Sequence, residues 1–441
     1  MGLPTLSALQ ERAVKAACGW YTDHEHPLFY LAGYAGSGKS TIMPVIIDAL
    51  GINPDEVEFC APTGKAAKVM TTKLKAFGID RRARTIHSLI YRPKPLRADM
   101  LERSLEDLRA QRSRVIEDLE GDPNWERHPK VVEIDKSMAL IDADLEKLFD
   151  QGEDPKFQLN PDSDIRKSRI CVVDEASMVG EMLAGDLLGF DVPVLAMGDP
   201  GQLPPVKDNE GLTAETPDFF LDEIHRQAKD NPIIHLATMA REGRSLKVGK
   251  YGDGVEVVDR MNDKATYNPE LDAQIIVGTN SRRWMVTKKL RKALGFNSTG
   301  PCAGEPLIVC KNSRSVPDMV NGAFVNCVHD VGDLRDGTVA IKVLVEDEFG
   351  VQRPVMALQG LFEEHRLGKK GAATAPAKLV YRARIENEHL DWGWAITCHK
   401  SQGSEWDNVV LHDESGTFRE DADKWLYTGI TRAAKGLTVV L

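Results

Sequence analysis

Short apolar runs of strand length, each broken by glycine, proline or acid, recur through the first half of the chain. Residues 28–32, 57–61, 170–173 and 194–197 read as buried strands. Helical periods separate them: one from about 6 to 18, where Ser7 and Gln10 have capping-box spacing, one over 40–50, and one entered from the loop 62–68. Strand, loop and helix in alternation predict a doubly wound parallel sheet with its ligand at the carboxyl ends of the strands.

From about 92 to 164 the pattern changes. Leu101, Leu105, Leu108, Val115 and Leu119, then Ile134, Met138, Ile141, Leu145 and Leu148, recur at helical spacing among charged residues. Two such helices cannot bury their stripes alone, so an antiparallel hairpin is expected, with its tip at 121–125. In the second half, 274–278, a segment from Trp392, 408–411 and 436–441 read as strands. A basic helix carries Arg282, Arg283, Lys288, Lys289, Arg291 and Lys292, and another helix lies near 422–433. Residues 304–386 break into short β-type runs parted by Gly, Asn and Asp turns, as in a small β-barrel, and 368–376 has the composition of a mobile loop.

A length of 441 residues implies at least two domains. The net charge of −11 argues against a uniformly basic nucleic-acid binder, so any such binding has to be local. The seven cysteines are scattered, without a CxxC pair or zinc spacing, as in a reduced cytosolic protein. With no secretory pattern at the start and no apolar run long enough to span a bilayer, the expectation is an intracellular, soluble protein.

The chemistry-bearing stretch is 33–40, two glycines five positions apart (Gly33, Gly38) followed by Lys39 and Ser40, set between a strand and a helix. Such a loop turns backbone N–H groups inward, and the helix N-terminus adds partial positive charge, forming a phosphate cradle. Gly36, Ser37, Gly38 and Thr41 belong to it; Lys39 is expected on the β- and γ-phosphates, and the Ser40 hydroxyl on Mg²⁺. Asp174 and Glu175 end the third strand, where the first can hold Mg²⁺ through water and the second can orient and deprotonate an attacking water. Gln202, after the fourth strand, is able to meet a γ-phosphate.

In this order, the segments 33–41, 61–68, 85–89, 172–178 and 198–206 resemble the first RecA-like domain of superfamily 1 helicases. Residues 221–227, 395–406 and 427–433 are similar to that superfamily's motifs IV, V and VI. Compact length, a third motif lacking an aromatic, and the sequence at 399–403 resemble the RecD/Dda branch more than the UvrD/Rep branch. The resemblance implies an α/β fold of two RecA-like P-loop parallel-sheet domains in tandem. A helical hairpin is inserted in the first and a small SH3-like β-barrel in the second. Its divisions are 1–91 with 165–220, 92–164, 221–303 with 387–441, and 304–386.

The same resemblance implies an ATP- and Mg²⁺-dependent DNA helicase moving 5′→3′ on single-stranded DNA. Arg226 and Arg432 become arginine fingers, Gly403 and Glu405 line the nucleotide site, and Gln202 couples it to DNA. Gln10 is implied as an adenine contact, although its residue type alone favours a simple cap. Pro62, Thr63, Lys65, Thr85 and His87 from the first domain and Thr397, His399 and Lys400 from the second are the DNA grips; His87 reads equally well as a core histidine. Implied partners are single-stranded and forked DNA and replication or recombination proteins such as a single-strand-binding protein. A monomer in the cytosol of a bacterial or phage-infected cell, off the membrane, is expected. The long hairpin departs from the short duplex-splitting pin of the branch, and Trp125 near its tip reads either as a wedge or as packed on the domain below. Two other readings compete. One is a nucleic-acid ATPase that moves without unwinding; the other is a P-loop GTPase or kinase, which requires a guanine-reading Asn-Lys-x-Asp motif or a single lidded domain, and the chain has neither.

Overall fold

The structure is a computed structural model, described for all residues except 1–5, 24–25, 95–96, 120–123, 152–156, 206–207, 223–230, 269–270, 314–315, 317 and 368–382. Six parallel strands form the first sheet: β1 (Leu28–Gly33), β2 (Val57–Ala61), β3 (Arg84–Thr85), β6 (Ile170–Val173), β7 (Val194–Gly198) and β8 (Phe219–Leu221). Their order is β3-β2-β6-β7-β1-β8. Between β3 and β6 in the chain lie the short strands β4 (Tyr91–Pro93) and β5 (Phe157–Leu159), which pair only with each other.

Helices cover both faces of this sheet, which explains its sequence. Phe29, Leu31, Phe59, Leu195 and Met197 pack on one side against Ile42, Met43 and Ile46 of α2 (Lys39–Ala49) and Met70 and Leu74 of α3 (Gly64–Ala76). Val173, Val194 and Ala196 pack on the other against Ile86 and Leu89 of α4 (Ile86–Ile90) and Leu187 of the Glu181–Leu188 helix. Strands buried on both faces need apolar residues at every position, hence continuous runs where a one-sided sheet would alternate.

The second sheet has the order β17-β11-β18-β19-β10-β9, from β9 (Gly249–Gly252), β10 (Val255–Val258), β11 (Ala273–Val277), β17 (Ala395–Thr397), β18 (Trp406–His412) and β19 (Ala433–Val440). All of its pairs are parallel except β9 with β10. The segment expected from Trp392 reaches this sheet only at β17; Trp392 itself ends β16 (Leu390–Trp392), which pairs antiparallel with β12 (Pro306–Val309). With β13 (Phe324–Cys327), β14 (Ala340–Glu346) and β15 (Gln352–Leu358) they make a five-stranded antiparallel sheet, order β15-β14-β13-β12-β16. Its two edges meet at a single bridge, Ala357 to Glu388, and a closed SH3-like barrel is not evident. The 368–376 loop lies outside the described residues.

Buried ion pairs fasten this insertion to the second sheet. Arg283 donates to Asp391 at 2.5 Å, and Arg291 grips Glu305 through Nε at 2.7 Å and Nη2 at 3.0 Å. The expected basic helix, Asn280–Ala293, thus spends two arginines inward and leaves Lys288, Lys289 and Lys292 exposed.

The expected hairpin is present as α5 (Arg97–Asp118) and α6 (Pro129–Gln151), with Leu105, Val131, Ile134 and Leu145 buried and Arg112 paired to Asp135 at 2.6 Å. Part of the tip, 120–123, lies outside the described residues, but Trp125 sits under the Arg112 guanidinium, 5.5 Å from its ring centroid. It packs on the hairpin itself.

Candidate active site

The loop between β1 and α2 has the shape its glycines require. Gly36 and Gly38 take φ of +78° and +84°, and a Cβ on Gly33 would stand 2.5 Å from Ser37 Oγ. Lys39 folds back on the loop, donating to the Gly33 carbonyl and to the Tyr34 carbonyl at 3.0 Å. The Ser40 hydroxyl accepts from Lys73 of α3 at 3.0 Å, a neighbour that the motif spacing did not reveal. Thr41 follows one turn into the helix, its N–H bonded to Gly38.

Asp174 and Glu175 leave β6 beside this loop. Glu175 is held in the left-handed region, φ +56° and ψ +40°, an uncommon conformation for a residue with a side chain. Its N–H donates to Asp174 Oδ1 at 3.0 Å. Burial pushes its carboxyl above the ordinary value, the Arg432 guanidinium is the strongest charge pulling it back, Asp174 pushes it up further, and Lys39 and Lys73 pull it down. Two carboxylates and three cations therefore converge.

Arg432 comes from the second lobe and is 5% exposed. Its guanidinium donates to the Thr428 carbonyl at 3.0 Å, the Ser404 carbonyl at 3.2 Å and the Thr431 hydroxyl at 3.1 Å, and it makes no ion pair among the described residues. Gln202 is buried, its Oε1 without a hydrogen-bond partner among the described residues. Gln10 closes a capping box with Ser7 at 3.0 and 3.3 Å, as its residue type favours, and its amide also reaches the Ser37 carbonyl of the phosphate loop at 3.4 Å. Gly403, at φ +70°, abuts α3, where a Cβ would lie 2.9 Å from Ala66 Cβ and 3.4 Å from Thr63 Oγ1. Glu405 is exposed, between Ser404 and Trp406, whose backbones both bond Arg432. Arg226 lies outside the described residues.

The candidate DNA grips divide into two groups. Pro62 and Thr63 follow β2, and the Thr63 hydroxyl caps α3 by accepting from Ala66 N at 3.2 Å. Lys65 reaches the second lobe, its ammonium 5.0 Å from the Phe324 ring and 4.9 Å from the Trp406 ring, and burial lowers its pKa to about 8. Thr85 caps α4, and His87 is exposed, its ring against Tyr91 and Phe157 at 4.6 and 4.4 Å; partial burial lowers its pKa. It is therefore not a core histidine. In the second lobe, Thr397 precedes the Cys398–Ser401 helix without a side-chain cap, His399 lies 5.5 Å from the Phe418 ring, and Lys400 contacts Cys310 Sγ at 3.0 Å.

Residues within the motif segments make junction contacts to which the motifs themselves gave no role. Tyr34 of the phosphate loop lies under Arg241, 3.6 Å from the ring centroid, and Tyr427 bonds both Ala35 N–H and Asp199. A two-lobed P-loop protein with charged groups from both lobes at one cradle is the class these features define. Family comparison agrees: the AAA domain model matches residues 5–259, and the UvrD-like helicase C-terminal domain model matches 393–440. The chain belongs to the AAA domain family.

Among similar proteins is the ATP-dependent RecD2 DNA helicase of Deinococcus radiodurans, 25% identical over 420 residues, covering 92% of this chain and 46% of that protein. An uncharacterised protein of Methanocaldococcus jannaschii is 23% identical, covering 93% of this chain and 36% of its own length. This chain spans less than half the length of these relatives. The crystal structure of Pif1 helicase from Candida albicans is 17% identical with a TM-score of 0.47, covering 99% of this chain and 94% of that one. No helix among the described residues is long and apolar enough to cross a membrane.

Proposed function

We propose that this chain is an ATP-dependent DNA helicase of superfamily 1, RecD/Pif1 type, moving 5′→3′ on single-stranded DNA and unwinding duplex. The observation that carries this reading is Arg432, a buried guanidinium of one lobe with no ion pair among the described residues, whose charge acts on Glu175 of the other beside the phosphate loop. A triphosphate between the lobes supplies the negative charge that this cation lacks. The polarity and the kind of nucleic acid rest on the motif resemblance and on the relative named a RecD2 DNA helicase. The narrower likeness to the phage Dda enzyme, and an SH3-like role for the 304–386 insertion, rest on the resemblance alone.

In this reading Gly36, Ser37, Gly38 and Thr41 present N–H groups to phosphate, and Lys39 exchanges its carbonyl partners for phosphate oxygens. Ser40 and Asp174 would hold Mg²⁺, whose chemistry there would be to neutralise charge on the phosphoryl group. Two protein oxygens suit an ion that keeps its remaining positions for phosphate and water, and among the described residues no cluster of three or more His, Cys, Asp or Glu could hold a metal unaided. Glu175 takes the proton of the attacking water, Gln202 senses the γ-phosphate, and Arg226 and Arg432 stabilise its charge. Gln10 reads adenine, with Gly403 and Glu405 lining the pocket. Residues 1–91 with 165–220 and 221–303 with 387–441 are the two motor domains, and 92–164 and 304–386 are insertions.

Pro62, Thr63, Lys65, Thr85 and His87 grip the strand from one domain, and Thr397, His399 and Lys400 from the other. A motor has to tolerate any sequence, so these grips act on backbone and base faces. Strand displacement on duplexes with 5′ or 3′ single-stranded tails tests the reading. Unwinding from the 5′ tail with ATP is expected. Unwinding only from the 3′ tail would reverse the polarity, and ATP hydrolysis without strand separation would favour a translocase.

A further inference from the structure

The residue that the motifs leave without a task is Tyr427. It is 2% exposed and lies on the Ala422–Ile430 helix of the second lobe, yet its hydroxyl is spent entirely on the first. It accepts from the Ala35 N–H of the phosphate loop at 2.9 Å and donates to Asp199 Oδ2 at 2.7 Å. Asp199 in turn accepts from Gly201 N–H at 2.9 Å, and its own carbonyl accepts from the Gln202 N–H at 3.1 Å. Gly201 is shaped around the ring, since a Cβ there would stand 3.0 Å from Tyr427 Cε1. Next along the helix, Thr428 accepts from Leu203 N–H at 2.9 Å through its hydroxyl and from Arg432 Nε at 3.0 Å through its carbonyl.

One short segment of the second lobe therefore registers the phosphate loop, the 199–203 turn and Arg432 against one another. Arg432 lies two residues past the end of this helix and is tied back to it at the Thr428 carbonyl, so a helix anchored at the tyrosine hydroxyl fixes how deeply the guanidinium enters. We infer that Tyr427 is a positioning residue, which through Ala35 and Asp199 sets the placement of Arg432 and Gln202 at the phosphate cradle. The inference rests on the ATPase reading above. The phenol's acidity is suppressed, first by burial and then by the Asp199 charge, so it stays a neutral O–H able to donate and accept at once.

The test is Tyr427→Phe, which keeps the ring and removes only the hydroxyl, with Asp199→Asn and the double variant. Single-strand-stimulated ATP hydrolysis, binding of a fluorescent ATP analogue and thermal unfolding are measured on each. We expect kcat to fall about tenfold in Tyr427→Phe, as for loss of a hydrogen bond to a charged group, with analogue affinity and KM within about twofold. The double variant should be no slower than the slower single one, because both remove the same link. Unchanged kcat in Tyr427→Phe, multiplying defects in the double variant, or a loss explained by lower analogue affinity would overturn the assignment. If Tyr427→Phe unfolds, Asp199→Asn alone must show the kcat loss at unchanged affinity, or the idea fails. Absence of ATP hydrolysis in the unsubstituted chain would instead strike the functional reading itself.

Discussion

Replacing Arg432 by Lys and by Ala separates its charge from its shape. The guanidinium makes three hydrogen bonds inside the second lobe, to Thr428, Ser404 and Thr431. At a net of about 1 kcal/mol each, Lys, which keeps one, should cost about 2 kcal/mol of stability, and Ala about 3 kcal/mol. Turnover should suffer far more, by about 10³-fold or beyond, because an arginine finger is worth that much in phosphoryl transfer. The pH dependence divides the two variants. Arg432 is the strongest charge holding the Glu175 carboxyl down against burial. Removing it raises the folded-state pKa of that carboxyl, and a general base must be deprotonated, so the acid limb of the single-strand-stimulated rate should move to higher pH in Arg432→Ala. In Arg432→Lys, which retains a cation, it should stay near that of the unsubstituted chain. Stability obeys the same sign: a carboxyl with a raised folded pKa favours the fold at low pH and penalises it once deprotonated. The deficit of Arg432→Ala should therefore widen as pH rises from the ordinary carboxyl value of 4.5 through the raised one. Steady-state ATP hydrolysis and thermal unfolding across pH measure both effects. Superimposable acid limbs for all three proteins, with turnover within a few-fold, would show that Arg432 does not face Glu175.

Lys39→Ala should abolish ATP hydrolysis while the unfolding transition stays cooperative, because among the described residues its ammonium bonds only carbonyls of its own loop; a retained rate would remove the loop from the chemistry. Glu175→Gln should still bind nucleotide and single-stranded DNA but stall, measured by analogue fluorescence and by strand displacement; loss of nucleotide binding would show that Glu175 is not the base. Lys65→Met should weaken single-strand binding and reduce the salt slope of its logarithm by about 0.7, the value for one phosphate contact on a single strand, as titration at several ionic strengths would reveal. An unaltered slope would mean that Lys65 serves only to join the lobes.

What could be read from the residues follows from where the physics is local. The first sheet was legible because strands buried on both faces leave unbroken apolar runs, and the phosphate loop because glycine, lysine and serine spacing encodes its own backbone. β3 and β8 were not, since strands of two and three residues carry no period of their own and exist only because β2 and β1 offer them free edges. The division of the segment around Trp392 was hidden for a related reason: 390–392 and 395–397 are adjacent short apolar runs, and only pairing sends them to different sheets. That Arg283 and Arg291 of the basic helix turn inward could not be read, because their acceptors, Asp391 and Glu305, are remote in sequence or invisible to helical periodicity. Tyr427 was hidden inside a recognised segment, since an aromatic on a helix gives no sign that its hydroxyl crosses to another lobe.

The two candidate functions of the junction share the same few elements. Thr63 caps α3 at one end of the proposed strand-binding loop, and the same helix start receives Gly403 at φ +70° in a notch where a Cβ would meet Ala66 at 2.9 Å. Gly403 follows the helix that carries His399 and Lys400, and precedes Ser404, whose carbonyl holds Arg432. Any shift of Arg432 toward or away from the cradle must therefore pull on the segment 401–406, and through Gly403 it alters the contact with α3, on which Lys65 stands. Coupling between the two proposed sites would need no long relay in such an arrangement, because one six-residue turn joins the residues assigned to each. A side chain at Gly403 should strike that turn where it is tightest, which is why the position demands glycine on two independent grounds, a left-handed backbone and the absence of room for a methyl group.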